Sequence, residues 1–92
     1  IYSIEVENVL YAHPAVIDAA LIGLPHPILG EEPAAVVQRA PGTVASEAEL
    51  KAWVRDRLAI FKTPVKIAFL DEPLPRNANG KILKNELRAL FG

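Results

Sequence analysis

The sequence predicts an α+β fold, a mixed α/β sandwich with a small three-stranded mixed sheet flanked by helices. Three segments repeat apolar residues at helical spacing, and three others are short apolar runs rich in β-branched residues. The two kinds of segment follow one another in the order α-β-β-α-β-α, which favours helices packed on a sheet. The 92 residues, 51% of them hydrophobic and 23% charged, leave room for one globular domain covering residues 1–92.

The first half of the chain predicts one helix and two strands. Residues 3–12 place apolar side chains on one helical face and carboxylates in the first turn, where the helix dipole favours them. Pro14 ends this helix. Residues 15–24 and 33–39 read as strands, and the Pro- and Gly-rich connector 25–32 suggests an antiparallel pair joined by a long loop.

The second half predicts a helix, a strand and a final helix. Ser46 and Glu49 form a capping box, in which Ser46 accepts from the Glu49 amide and the Glu49 side chain reaches back to the cap amide. The helix that follows extends to about residue 59, with Trp53 on its core-facing side. Residues 65–70 are the third strand, and residues 82–91 carry the apolar stripe of the last helix.

Several classes of function are excluded or disfavoured by composition. The chain has no cysteine, which excludes disulfide scaffolds, thiolate nucleophiles and zinc fingers, and its two histidines make a histidine metal site improbable. We therefore predict no metal site. No apolar stretch approaches the roughly 20 residues of a transmembrane helix. A cytoplasmic location is the default expectation, with peripheral membrane association left open.

Charge is distributed unevenly along the chain. The formal net charge is −1, but residues 1–50 carry −6 and residues 51–92 carry +5. The C-terminal half therefore offers a positive field to an anion. Ordinary solvated surface charge is the competing interpretation.

The loop 71–81 between the last strand and the last helix is the most unusual part of the sequence. Prolines stiffen its entry, and Asn79 and Gly80 reach positive φ at low cost. Lys81 follows near a helix start, where a cation is disfavoured by roughly 0.3–1 kcal/mol. An ammonium on a long stem can sit between two anions that must approach each other. The alternative is a solvated lysine beside an Asn-Gly turn, and the spacing does not fit a phosphate-binding P-loop.

Residues 74–84 (LPRNANGKILK), followed by Glu86-Leu87-Arg88, resemble the final core motif of the adenylate-forming superfamily of acyl-CoA synthetases, luciferases and peptide-synthetase adenylation domains. The resemblance covers essentially the whole chain and is closest to bacterial fatty-acid-CoA ligases. Supporting segments occur in family order: residues 5–7 (EVE), 13–16 (HPAV), 23–26 (GLPH), 30–31 (GE) and 33–37 (PAAVV).

The resemblance implies a two-step reaction in which ATP and a carboxylic acid, here expected to be fatty, form an acyl-adenylate and coenzyme A then takes the acyl group. This chain would be the mobile C-terminal domain of a longer ligase. Lys81 matches the family's adenylation lysine, carried on a flexible loop that docks and leaves. The expected partner is the chain's own N-terminal domain, which would bind ATP with Mg²⁺. The 92 residues alone are expected to be inactive.

A weaker part of the resemblance places the nucleotide end of coenzyme A near Arg55, Phe61 and Lys62. Five basic residues face one acidic residue over sixteen positions here, which would attract phosphate. A solvated helix face with Phe61 in the core is the alternative. His13, His26 and the pair Glu31–Glu32 are interpreted as structural or loop residues rather than ligands or acids.

Two alternatives to the acyl-CoA synthetase stay open. One is a ligase of the same superfamily that passes the acyl group to a carrier protein. The other is a non-catalytic module that binds a polyanion or a protein through the positive half of the chain. Nucleic acid is disfavoured as a partner, because no basic strand with interleaved aromatic residues accompanies the charge.

Overall fold

A computed structural model describes residues 3–28, 30–58 and 62–91 of the chain. The elements are α1 (Ser3–Tyr11), β1 (Val16–His26), β2 (Gly30–Arg39), α2 (Glu47–Arg57), β3 (Lys66–Leu70) and α3 (Lys84–Arg88), with a 3-10 turn at Ala89–Phe91. This order confirms the predicted α+β fold.

The three strands form a mixed sheet in the order β1-β2-β3. β1 and β2 are antiparallel, with Leu21 opposite Ala35, and β2 and β3 are parallel, with Val36 opposite Ala68. Residues 34–37 of the central strand are fully buried. A strand covered on both faces has no polar side, which explains the continuous apolar run AAVV.

The connection between β1 and β2 is shorter than the sequence suggested. Pairing continues to Pro25 opposite Glu31 and His26 opposite Gly30, so the long loop expected over 25–32 was wrong. β1 lies at the sheet edge, where a proline that lacks an N–H is tolerated.

Helices cover both faces of the sheet and create two apolar clusters. One face packs against α1 and α2, with Leu10 and Leu50 fully buried. The opposite face packs against α3 and the segment before it, through Leu87 and Leu74. The sheet is therefore the middle layer of a three-layer sandwich.

The start of α2 confirms half of the predicted capping box. Ser46 Oγ accepts from the Glu49 amide at 3.1 Å. The Glu49 carboxylate, however, lies 2.9 Å from His13 Nε2 instead of reaching back to the cap amide. His13 is 8% exposed, and its Nδ1 accepts from the Ala15 amide at 3.0 Å. His13 thus has the structural role expected of it, linking the end of α1 to α2.

Trp53 packs less deeply than predicted. Its ring is only partly buried, and Nε1 donates to the Val9 carbonyl at 2.7 Å. The ring meets His13 edge-on, with centroids 4.7 Å apart. The side chain therefore joins α1 to α2 at the edge of the core, because its N–H needs a polar partner.

Candidate active-site loop

The segment between β3 and α3 is anchored at its base and forms a hairpin at its tip. Leu74 is 3% exposed and holds the base against the sheet. Pro75 accepts from the Leu83 amide at 2.9 Å, and Arg76 pairs with Ile82 in an isolated antiparallel bridge. This bridge explains why α3 begins at Lys84 and not at residue 82 as predicted. The Asn-Gly turn and the helix, treated as competing interpretations, are both present in succession.

Asn77 organises the tip of the hairpin. Its side-chain Oδ1 accepts from the amides of Asn79 at 2.9 Å and Lys81 at 3.0 Å. Its backbone N–H donates to the Lys81 carbonyl at 2.9 Å, and its carbonyl accepts from the Gly80 amide at 3.0 Å. The Lys81 backbone is therefore held at both its N–H and its C=O. The loop that the sequence suggested to be flexible has an ordered hydrogen-bond network.

Gly80 supplies the backbone geometry of this turn. Its φ is +83°, a left-handed conformation that residues with a Cβ adopt at a cost. No heavy atom lies within 4 Å of the position a Cβ would take. The requirement for glycine is thus conformational and not steric.

The Lys81 side chain is exposed, in contrast to its fixed backbone. In the part of the chain that the structure describes, no carboxylate or carbonyl pairs with Lys81 Nζ. The side chain borders an open groove of about 540 Å³, lined by Asn77 and residues 81–86. The Lys81 ammonium therefore has no partner among the described residues, although its backbone is held by hydrogen bonds. This arrangement suits an anionic ligand that is supplied from outside the domain.

The residues predicted to contact coenzyme A are only partly described. Arg55 lies on α2 with an exposed side chain, and Phe61 falls outside the described residues. Lys62 Nζ donates to Glu5 Oε1 at 2.6 Å, so this lysine already has an anionic partner. Neither Arg55 nor Lys62 lines the groove beside Lys81.

Most of the five basic side chains between Lys51 and Lys66 contact a partner within the described part of the domain. Three of the five have partners: Lys51 with Glu47 at 3.5 Å, Arg57 over the Trp53 ring at 3.3 Å, and Lys62 with Glu5. Arg55 and Lys66 have none among residues 3–28, 30–58 and 62–91. The positive field available to phosphate is correspondingly smaller.

A hydrogen-bonded cluster around the buried carboxylate of Asp18 was missed by the sequence reading. Asp18 lies in β1 with 9% exposure, and its Oδ2 accepts from Arg76 Nη2 at 2.6 Å. Its Oδ1 accepts from the Tyr11 hydroxyl at 2.6 Å. Burial raises the pKa of Tyr11, and the hydrogen bond to Asp18 raises it further. The same carboxylate raises the pKa of Arg76. The available signal was one aspartate inside an otherwise apolar strand.

The remaining candidate residues have structural surroundings. His26 ends β1, and its Nδ1 accepts from the Ile28 amide at 3.1 Å, while Nε2 lies 4.0 Å from Glu32. The Glu31 carboxylate lies over Gly23 on the opposite strand, 2.6 Å from where a Cβ would stand. These contacts stabilise the antiparallel pair of β1 and β2.

Within the described ranges, no group of three or more His, Asp or Glu residues is arranged to hold a metal ion. The helices of those ranges include none with the length and apolar character needed to cross a bilayer. The cytoplasmic location stays a prediction.

The order of helices and strands is the one expected from the sequence resemblance to the C-terminal domain of adenylate-forming enzymes. Residues 5–81 match the family described as AMP-binding enzyme C-terminal domain, and the chain belongs to that family.

Curated relatives include a feruloyl-CoA synthase of Amycolatopsis, 49% identical over 92 residues, which are 100% of this chain and 18% of the relative. A butyrate–CoA ligase of Arabidopsis thaliana is 46% identical over 96% of this chain and 16% of its own length. Among solved structures, apo MatB from Rhodopseudomonas palustris superposes with a TM-score of 0.90 at 42% identity, covering 99% of this chain and 18% of MatB. The chain thus spans less than a fifth of the length of these relatives.

Proposed function

We propose that residues 1–92 are the mobile C-terminal domain of an AMP-forming acyl-CoA synthetase and that Lys81 serves its adenylation step. Support comes from the family match and from relatives that are CoA ligases and span about five times this length. The observation that carries the role of Lys81 is its ammonium, which is exposed and unpaired among the described residues on a backbone held by Asn77.

The proposed chemistry needs a cation where two anions meet. A carboxylate that attacks the α-phosphate of ATP approaches a group of its own charge, and an ammonium between them offsets the repulsion and stabilises charge in the transition state. Lys81 would supply that charge when the domain docks. ATP and Mg²⁺ would be held by the N-terminal domain. Formation of the thioester does not need this lysine.

The two half-reactions of the full-length enzyme test this role. Lys81→Ala should lower pyrophosphate release at saturating acid and ATP by about 100-fold or more, the usual effect of losing one transition-state charge contact. Conversion of supplied acyl-adenylate to thioester should stay within about twofold of wild type. Lys66→Ala is the matched control, because Lys66 is also exposed and has no partner in the described ranges. Equal loss in both half-reactions, or no loss of pyrophosphate release, would overturn the proposal.

For the acceptor we propose coenzyme A, with Arg55, Phe61 and Lys62 near its nucleotide end. The ion pair between Lys62 and Glu5 must be exchanged for the pair with a phosphate. Arg55→Ala and Lys62→Met should each raise the KM for coenzyme A about five- to tenfold, whereas Glu5→Gln should lower it, because one anion that competes with the phosphate for Lys62 is lost.

Lys51→Met is the matched control for these variants, since Lys51 is likewise a paired lysine, with Glu47 on the same helix, but is not among the proposed coenzyme A contacts. An unchanged KM in the Arg55 and Lys62 variants would reject the site. Thioester formed only on a carrier protein would favour the carrier-dependent ligase over the synthetase.

For the acid we propose a fatty acid. A butyrate–CoA ligase of Arabidopsis thaliana and a fatty acyl CoA synthetase of Mycobacterium tuberculosis, 41% identical to this chain with a TM-score of 0.84, support this choice, and the feruloyl-CoA synthase supports an aromatic acid. Pyrophosphate release measured with butyrate, decanoate and ferulate distinguishes them. A higher kcat/KM for ferulate than for either fatty acid would contradict the proposal.

A further inference from the structure

We propose that Arg76 is a positioning residue for Lys81, because it clamps the Gly80–Lys81 peptide to the buried carboxylate of Asp18. This inference rests on the proposed adenylation role of Lys81. Arg76 lies within the hairpin, paired with Ile82, and its guanidinium binds Asp18, so it would act only through the lysine.

Asp18 is a fixed anchor for this clamp. The residue is 9% exposed in β1, and both carboxylate oxygens are engaged. Oδ1 accepts from the Tyr11 hydroxyl at 2.6 Å and from the Ala19 amide at 3.0 Å, while Oδ2 accepts from Arg76 Nη2 at 2.6 Å. A carboxylate held from α1 and from its own strand cannot rotate without breaking these bonds. Arg76 is therefore tied to the rigid sheet.

The guanidinium joins this anchor to the reactive loop. Nη2 binds Asp18, and Nη1 of the same planar group donates to the Gly80 carbonyl at 2.8 Å. That carbonyl belongs to the peptide unit whose N–H is the Lys81 amide, which donates to Asn77 Oδ1 at 3.0 Å. The peptide group between Gly80 and Lys81 is thus hydrogen-bonded at both its C=O and its N–H. A planar fork with two terminal nitrogens suits acceptors at two separate positions, whereas a lysine at position 76 would present all its N–H donors from one nitrogen.

The clamp predicts an effect confined to one step of the reaction. If Arg76 aims the Lys81 stem, its loss misplaces the ammonium during adenylation but leaves thioester formation intact, since that step does not use the lysine. A misplacement of about 1 Å can cost up to about 100-fold in rate. Such a loss should appear in kcat for adenylation and not in the KM for ATP.

The experiment uses the full-length enzyme and both half-reactions. Arg76→Ala should slow pyrophosphate release about 10- to 100-fold with thioester formation from supplied acyl-adenylate within about twofold of wild type. Arg76→Lys should restore little of the loss. Methylguanidinium should restore part of it, because the Arg76 side chain is 41% exposed and its vacated position can be reached from solvent. Arg39→Ala is the matched control, since Arg39 pairs with Asp71 at 3.8 Å, at the start of the segment after β3, and makes no hydrogen bond to residues 76–82.

A double-variant cycle separates this inference from the function on which it rests. In the Lys81→Ala background, Arg76→Ala should cause less than about a twofold further loss, because a group that acts through the lysine has nothing left to position. Independent, multiplicative losses would overturn the positioning role. So would unimpaired adenylation in Arg76→Ala when Lys81→Ala is impaired. Unimpaired adenylation in Lys81→Ala itself would instead reject the proposed function.

Discussion

Replacing Gly80 by alanine tests whether the backbone of the hairpin governs the reactivity of Lys81. Gly80 has φ +83° and open space where a Cβ would stand, so the substitution costs backbone strain without a clash. A left-handed residue with a Cβ costs about 1–2 kcal/mol, and the loss of unfolded-state freedom on replacing glycine offsets about 0.4–1 kcal/mol. The net penalty is about 1 kcal/mol. Expressed as the equilibrium constant between the correct hairpin and its alternatives, this corresponds to about a fivefold decrease.

The assay is pyrophosphate release by the full-length Gly80→Ala enzyme, with thioester formation from supplied acyl-adenylate measured in parallel. Only pyrophosphate release should fall, measurably but by at most about fivefold. Gly42→Ala is the matched control, because Gly42 has φ +79° and equal space but lies before α2. Gly80→Asn should lose less, since asparagine adopts the left-handed region more readily. An unaffected Gly80→Ala enzyme, or an equal loss in Gly42→Ala, would refute the reasoning.

Three further predictions concern the scaffold. Tyr11 has a raised pKa beside Asp18, so its contribution to stability is present below pH 10.0 and is lost as the pH rises through the pKa of the folded state. The difference in absorbance at 295 nm between wild type and Tyr11→Phe should therefore titrate with a midpoint above pH 10.0. A midpoint at or below pH 10.0 would contradict the contact. Leu10→Ala should destabilise the chain by about 2–5 kcal/mol in urea unfolding, while Ile4→Ala, on the same helix but 75% exposed, should change it by under about 0.5 kcal/mol. Nitrogen NMR shifts of His13 should show the proton on Nε2, because Nδ1 accepts a backbone hydrogen bond; a proton on Nδ1 would exclude that contact.

The helices and strands could be predicted well because each type of element has its own characteristic spacing of apolar residues. Leu50 and Val54 recur at helical spacing, and residues 34–37 form an unbroken apolar run, so their burial follows from the chain alone. The lengths of β1 and β2 were underestimated, since proline and glycine usually mark loops. Pairing between β1 and β2 overrode that local preference at Pro25, in the edge strand, and at Gly30, at the start of β2.

The candidate site was predicted in part. Lys81 stood out because a lysine after Asn-Gly at a helix start has no structural purpose that local propensity explains. The ion pair between Asp18 and Arg76 could not be predicted from the sequence, because the two residues are 58 positions apart and meet only in the tertiary fold. The same holds for the partner of Lys62, since Glu5 lies 57 residues away.

The central claim is that the Lys81 ammonium meets the reacting anions during adenylation. The most direct measurement is a crystal structure of the full-length protein with its bound acyl-adenylate, in which the distance from Lys81 Nζ to the nearest ligand oxygen is read. We predict about 3 Å, the length of a charge-assisted hydrogen bond, in one position of the domain. A separation beyond about 10 Å in every observed domain position would contradict it, since no direct contact spans that distance.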